Sequence, residues 1–164
     1  MIAQTWRLLR LDLQPDHRPS SPARLLLASL LAIVGSLVAD ALLVRIGTAV
    51  FPSTAGYVHF QFADYAKLTV IGVVIACAAW PIVARVCAAP RWLFTRLAVL
   101  VTLVLLLPDV YILSQGQPAR AVAVLMVMHL AIAVVTYAAL TRVAPPRPLP
   151  RRETARTRES FAPD

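Results

Sequence analysis

The chain has 164 residues, of which 59% are hydrophobic and 15% charged, and its net charge is +8. Its mean hydropathy is +0.72, whereas ordinary soluble domains run at about 45–50% apolar and 25% charged. These figures exclude a chain disordered over most of its length, a large soluble enzyme and, with only Cys77 and Cys87 present, a disulfide-built secreted domain. They leave room for one small membrane domain, because each spanning helix takes about 20 residues.

In chain order, the first segment is residues 1–23. It carries Ile2, Trp6, Leu9 and Leu13 on one helical face, with Arg7 and Arg10 off it, which reads as a short interfacial helix ending at Pro15 or as a frayed tail. The membrane domain follows at 24–142, with spans at about 24–46, 65–87, 92–113 and 121–141. Charges bracket each of them. Span one begins at Arg24 and tolerates Asp40, span two carries the uncharged run Leu68 to Ala84, span three includes Asp109, and span four has no formal charge. Helix is the expected type, since a helix satisfies its own backbone groups in lipid. Span one has a competing reading as a signal peptide, with Arg24, the apolar run Leu25 to Val38 and the small-x-small site Ala39-Asp40-Ala41; its length and the segment before it favour a retained span.

The loop from Gly47 to Asp64 holds Phe51, Tyr57, Phe60 and Phe62, which suit an aromatic belt at the water interface. Small residues at Ala28, Ala32, Gly35 and Ala39 of span one, and at Gly72 and Ala76 of span two, are candidate faces for close helix approach. Pro81 and Pro108 each remove an intrahelical hydrogen bond, so local kinks are expected there. Residues 143–164 are rich in proline and arginine, with almost nothing to bury, and are expected to be disordered.

Orientation follows from the basic residues. Of sixteen, fifteen are arginine, and thirteen fall in the N-terminal segment, the loop between spans two and three, and the tail. Only Arg45, Lys67 and Arg120 lie on the other side, so the positive-inside rule places both termini in the cytoplasm. The fold expected is an all-α transmembrane four-helix bundle of the plasma membrane. Its positive charge is an orientation signal and a contact for anionic lipid headgroups. It is not a nucleic-acid footprint, which requires a basic face on a folded soluble domain.

Ionisable groups inside a span cost about 2.5–3.5 kcal/mol at the centre on insertion scales and normally face protein or water. Asp40, Asp109 and His129 are the candidates. Asp109 lies thirteen residues beyond Arg96 and His129 thirteen before Arg142, so both sit about 20 Å from the inner face at about 1.5 Å per residue. Asp40 lies about 24 Å up by the same rise, and Arg45, Asp64, Lys67 and Arg120 mark the outer boundary. One reading makes the three a water-accessible outer cavity for a proton, a cation or a small ligand, with an imidazole that titrates near neutrality. The other makes them structural: Asp109 pairs with His129, Asp40 pairs with Arg45 or Lys67, and acidic groups so near the boundary can also reach headgroups. The structural reading is preferred.

No catalytic residue stands out. Cys77 and Cys87 are ten residues apart on one helix, a separation of about 15 Å, too far for a mutual disulfide. The three histidines lie in different segments, His59 and Asp64 lack metal-ligand spacing, and five scattered glycines form no nucleotide-binding pattern. No cofactor or metal is expected.

The stretch from Trp80 through the arginine-flanked inner loop and LLLPDV to VLMVMHLAIAV at Val124–Val134, with the Met128-His129 pair and the loop SQGQPA before it, resembles an uncharacterised actinobacterial family of small four-helix membrane proteins, grouped as a domain of unknown function. The resemblance implies a fold and a source, and no mechanism. Taken together, these features point to a non-catalytic accessory or interaction protein, working with a partner membrane subunit or as a homo-oligomer; the alternative is a small transporter or ion-conducting subunit using Asp40, Asp109 and His129.

Overall fold

The structure, a computed structural model, describes residues 17–148, so the interfacial helix expected over Ile2 to Leu13 lies outside the described residues, as does the tail from residue 149. Four helices account for nearly all of the remainder: α1 (Pro22–Val50), α2 (Phe62–Val86), α3 (Pro90–Ser114) and α4 (Ala119–Val143). Each is long and apolar enough to cross a membrane. Every one starts a few residues before the expected span. All but α2 also end later, because the helices continue through the charged residues that mark the bilayer boundary. Pro22 and Pro90 sit in the first turn of α1 and α3, where a missing N–H removes no helical bond. Gly116, at φ +84°, ends α3 in a left-handed turn, with the N–H groups of Gly116 and Gln117 bonded to the carbonyls of Leu113 and Ile112. Both α2 and α3 run on as single helices through Pro81 and Pro108.

Both described ends of the chain meet at one end of the bundle. His17–Arg18 (β1) pairs antiparallel with Arg147–Pro148 (β2), and the Ser20 hydroxyl donates to the Pro145 carbonyl. The first residues of the stretch expected to be disordered, up to Pro148, are therefore ordered against the start of α1. Arg91 at the same end donates to the Thr141 carbonyl, 3.2 Å away. The far end, which we call distal, carries two short 3-10 turns, Pro52–Thr54 and Val58–Phe60, between α1 and α2.

Helix α4 is the hub: it packs most extensively on α1, then on α3, and also touches α2. The α1 face it meets repeats at four-residue steps, Ala28, Ala32, Ser36 and Asp40, and continues to Gly47, all buried. Small side chains there let the backbones approach. A Cβ added at Gly35 would lie 3.0 Å from a Val135 methyl, and one at Gly47 would lie 2.8 Å from a Val124 methyl. Gly72, in contrast, is exposed with nothing within 4 Å of its Cβ direction. The α2 face turned inward is instead Tyr65, Thr69, Val73, Trp80 and Ala84, a face led by the bulk of Tyr65 and Trp80.

Two apolar clusters fill the interior. Near the termini are Ala28, Trp80, Val83, Phe94, Leu140 and Ala144; near the distal end are Phe60, Tyr65, Ala121, Val124 and Met128. Phe51, Tyr57 and Phe60 belong to the second, so three of the four aromatics expected to form an interfacial belt turn inward as a cap, and only Phe62 stays exposed. Gly47→Val tests the closest helix contact. Val124 is β-branched and stiff at χ1, so it cannot yield. The variant should lose about 1–3 kcal/mol by overpacking, read as a lower thermal midpoint in detergent, and Val124→Ala in the same chain should recover part of that loss.

Candidate functional site

Between the two apolar clusters, each helix contributes one polar side chain to a common layer: Asp40 from α1, Thr69 from α2, Asp109 from α3 and His129 from α4. Asp40 and Asp109 are 0% and 4% exposed, which rules out carboxylates that reach the headgroups. The Thr69 hydroxyl donates to Asp40 Oδ2 over 2.7 Å. Asp40 thus pairs with a neutral hydroxyl and with neither Arg45 nor Lys67, correcting the expected ion pair. The physical reason is helical rotation. Arg45 is five residues on, projects from an exposed part of α1, and cannot turn back into the seam that Asp40 occupies. Lys67 faces outward and is largely exposed, beside the half-buried Asp64, 3.9 Å away.

His129 Nδ1 lies 2.9 Å from Asp109 Oδ2, the pairing the depth count anticipated. The same nitrogen lies 3.1 Å from the Leu125 carbonyl, one turn back. Its single proton cannot point squarely at both, and Asp109 Oδ2 is buried without a well-directed hydrogen bond. The contact with Asp109 is therefore chiefly electrostatic. Asp40 Oδ1 is likewise buried with no partner. One turn before Asp40 on α1 and two turns past His129 on α4, the hydroxyls of Ser36 and Thr136 face each other at 3.4 Å, adding a second, neutral contact between α1 and α4.

The distal cap overlies this layer. Tyr57 stacks edge-on against His59 and Phe60, each with ring centroids 5.3 Å away, and its hydroxyl is buried without a partner. Burial first, and the negative charge of Asp109 second, push the Tyr57 phenol above its ordinary range. It remains a neutral O–H through the physiological range. The folded state favours the protonated phenol, so its contribution to stability is complete below about pH 10, where an unfolded tyrosine ionises, and fades as pH rises past that point. Tyr57→Phe should therefore flatten the alkaline fall in thermal midpoint in detergent; an identical fall in both proteins would remove Tyr57 as its cause.

The remaining boundary charges stay apart from the layer. Arg45 is exposed, and Arg120 sits over the Phe51 ring at 5.4 Å. Thr69 had no signal that sequence reasoning could weigh, being an uncharged residue two positions past Lys67. Cys77 and Cys87 are both free thiols. Among the described residues no group of three or more His, Cys, Asp or Glu has the arrangement to hold a metal ion. At the opposite end a shallow, open pocket of about 520 Å³ lies among His17, Pro90, Arg91, Trp92, Pro145 and Pro146.

In comparison with known protein families, the model of a family of unknown function, DUF6069, matches residues 20–146. That range takes in all four helices, the polar layer and the distal cap. No curated protein and no solved structure matches the chain.

Proposed function

The chain belongs to DUF6069, a family of unknown function, and from that premise we propose that it acts without catalysis as an accessory or interaction component of the plasma membrane. The observation that carries this reading is the direction of the interior polar groups, which face one another: Thr69 on Asp40, His129 beside Asp109, Ser36 opposite Thr136. Such contacts lock the register of four helices, while the outward surface, from Leu26 to Val134, is left to apolar side chains.

The orientation proposed has both termini in the cytoplasm, supported by the gathering of Arg18, Arg91 and Arg147 at the end of the bundle where the described ends of the chain meet. Those arginines and the open pocket beside Arg91 suit anionic headgroups. An actinobacterial source is supported by the preference for arginine over lysine, as a GC-rich genome favours. Purification of the tagged chain in mild detergent, followed by mass spectrometry, tests the role: a stoichiometric membrane subunit or a second copy is expected, and a solitary monomer overturns it.

A second reading, a small transporter or proton-conducting subunit built on Asp40, Asp109 and His129, draws on the two carboxylate oxygens without hydrogen-bond donors. Reconstitution into vesicles with a pH-sensitive dye separates the two. Flux abolished by His129→Ala favours transport, and no flux under any gradient favours the accessory role.

A further inference from the structure

We propose that Asp40, Asp109 and His129 form a proton-binding site that exchanges with solution through the distal face alone. This goes beyond both functional readings, since binding at a closed site needs neither a partner nor a flux.

The geometry supplies the acceptors. Thr69 occupies Asp40 Oδ2, leaving Oδ1 bare, and the proton on His129 Nδ1 is divided between the Leu125 carbonyl and Asp109, leaving Asp109 Oδ2 without a directed donor. A bare carboxylate oxygen in a low-dielectric interior is costly unless something neutralises it. Both oxygens are fully shielded, so a hydrated cation has no room beside them, and no metal-binding group exists among the described residues. A proton needs no cavity. Three coupled groups then hold protons as a set, with no single residue owning one.

The route runs outward. His59 is exposed on the distal turn and its ring lies against Tyr57; Tyr57 packs on the distal cluster that holds Tyr65 and Met128, the chain neighbour of His129, and His129 touches Asp109. Tyr65 on α2 lies one helical turn from Thr69, the partner of Asp40, on the same buried face. Inward, the next polar pair is the neutral hydroxyls of Ser36 and Thr136. No carboxyl or imidazole occurs in any of the four helices between this layer and the arginine end, and that space is filled by Trp80, Phe94, Leu140 and Ala28. The step is simple: a hydronium ion at the distal surface gives up its proton, which adds to an imidazole nitrogen or a carboxylate oxygen, and water is left behind. No other bond forms or breaks.

Infrared difference spectroscopy on the full chain in vesicles, with orientation checked by protease clipping of the tail, provides the test across about pH 8 to about pH 5, the range around an imidazole. Asp40→Asn and Asp109→Asn should each lose one carboxylic-acid band relative to the wild type and displace the other's titration, and acidifying only the distal side should produce both bands. Spectra unchanged by both variants, or bands that titrate independently, overturn the shared site. Equal response from the arginine side overturns one-sided exchange. Should either asparagine variant fail to fold, His59→Gln, at an exposed position, must slow proton uptake after a pH jump on the distal side, and an unchanged rate overturns the route. Steady proton flux by the wild type would overturn the closed inner half, whereas failure to find a partner subunit would leave this site untouched.

Discussion

Trp80→Ala is expected to lower stability by about 3–5 kcal/mol. Trp80 is 1% exposed and belongs to the apolar cluster near the termini, with Val83, Phe94, Leu140, Ala28 and Ala144 around it. Its ring meets Phe94 with centroids 4.8 Å apart, and Phe94 stacks in turn on Tyr137 of α4 at 5.9 Å. The indole also donates from Nε1 to the Ala144 carbonyl over 2.8 Å, so one side chain ties α2 to the final turn of α4 while filling the space against α3. Truncation leaves a void among three helices and a terminal carbonyl without its donor. Trp80→Phe separates the two contributions: it retains most of the volume, and its loss should be the smaller, about 1–3 kcal/mol for the unsatisfied carbonyl. Thermal unfolding in detergent orders the three proteins. A Trp80→Phe variant as weak as Trp80→Ala would place the whole effect on the hydrogen bond.

Much of this arrangement was legible in the sequence, and the reasons differ from residue to residue. The four helices were legible because charge is so costly in lipid that Arg24, Lys67, Arg96 and Arg142 delimit the apolar runs between them. The Asp109–His129 contact was legible because a helix rises uniformly, so equal counts from the arginine end imply equal depth. That count gives height and says nothing of rotation, which is why Asp40 was assigned to Arg45 or Lys67 when Thr69 holds it. A threonine carries no charge to mark it in an apolar helix. Phe51, Tyr57 and Phe60 were misplaced because an interfacial belt and an inward-folded cap have the same composition; two 3-10 turns decide between them. Gly72 failed as a contact because small residues permit close approach without driving it, and on α2 the bulky face of Tyr65, Val73 and Trp80 has more to gain from burial.

The Asp109–His129 contact carries the second large effect, and a double-mutant cycle measures it. Helix α3 buries only Pro90, Phe94, Thr102 and Asp109, and Thr102 bonds within its own helix, to the Ala98 carbonyl. Its proximal end is held by Phe94 in the apolar cluster. Its distal end has Asp109 as its one buried anchor, and the partner of Asp109 is His129. Removing the imidazole alone leaves a buried carboxyl facing apolar side chains, a change that costs about 3–5 kcal/mol where the charge stays uncompensated. Removing both groups eliminates that mismatch, so the loss in the double variant should fall short of the sum of His129→Ala and Asp109→Ala by roughly 0.5–3 kcal/mol. Additive losses would mean that the two side chains are neighbours without interaction. Hydrogen exchange gives the cycle a spatial readout: in either single variant the amides of Leu105 to Ser114 should lose protection while those around Phe94 keep theirs, because the helix loosens from its distal end and pivots on the aromatic cluster. Uniform loss along α3 would instead show that the whole helix depends on this pair, and that Phe94 does not hold it by itself.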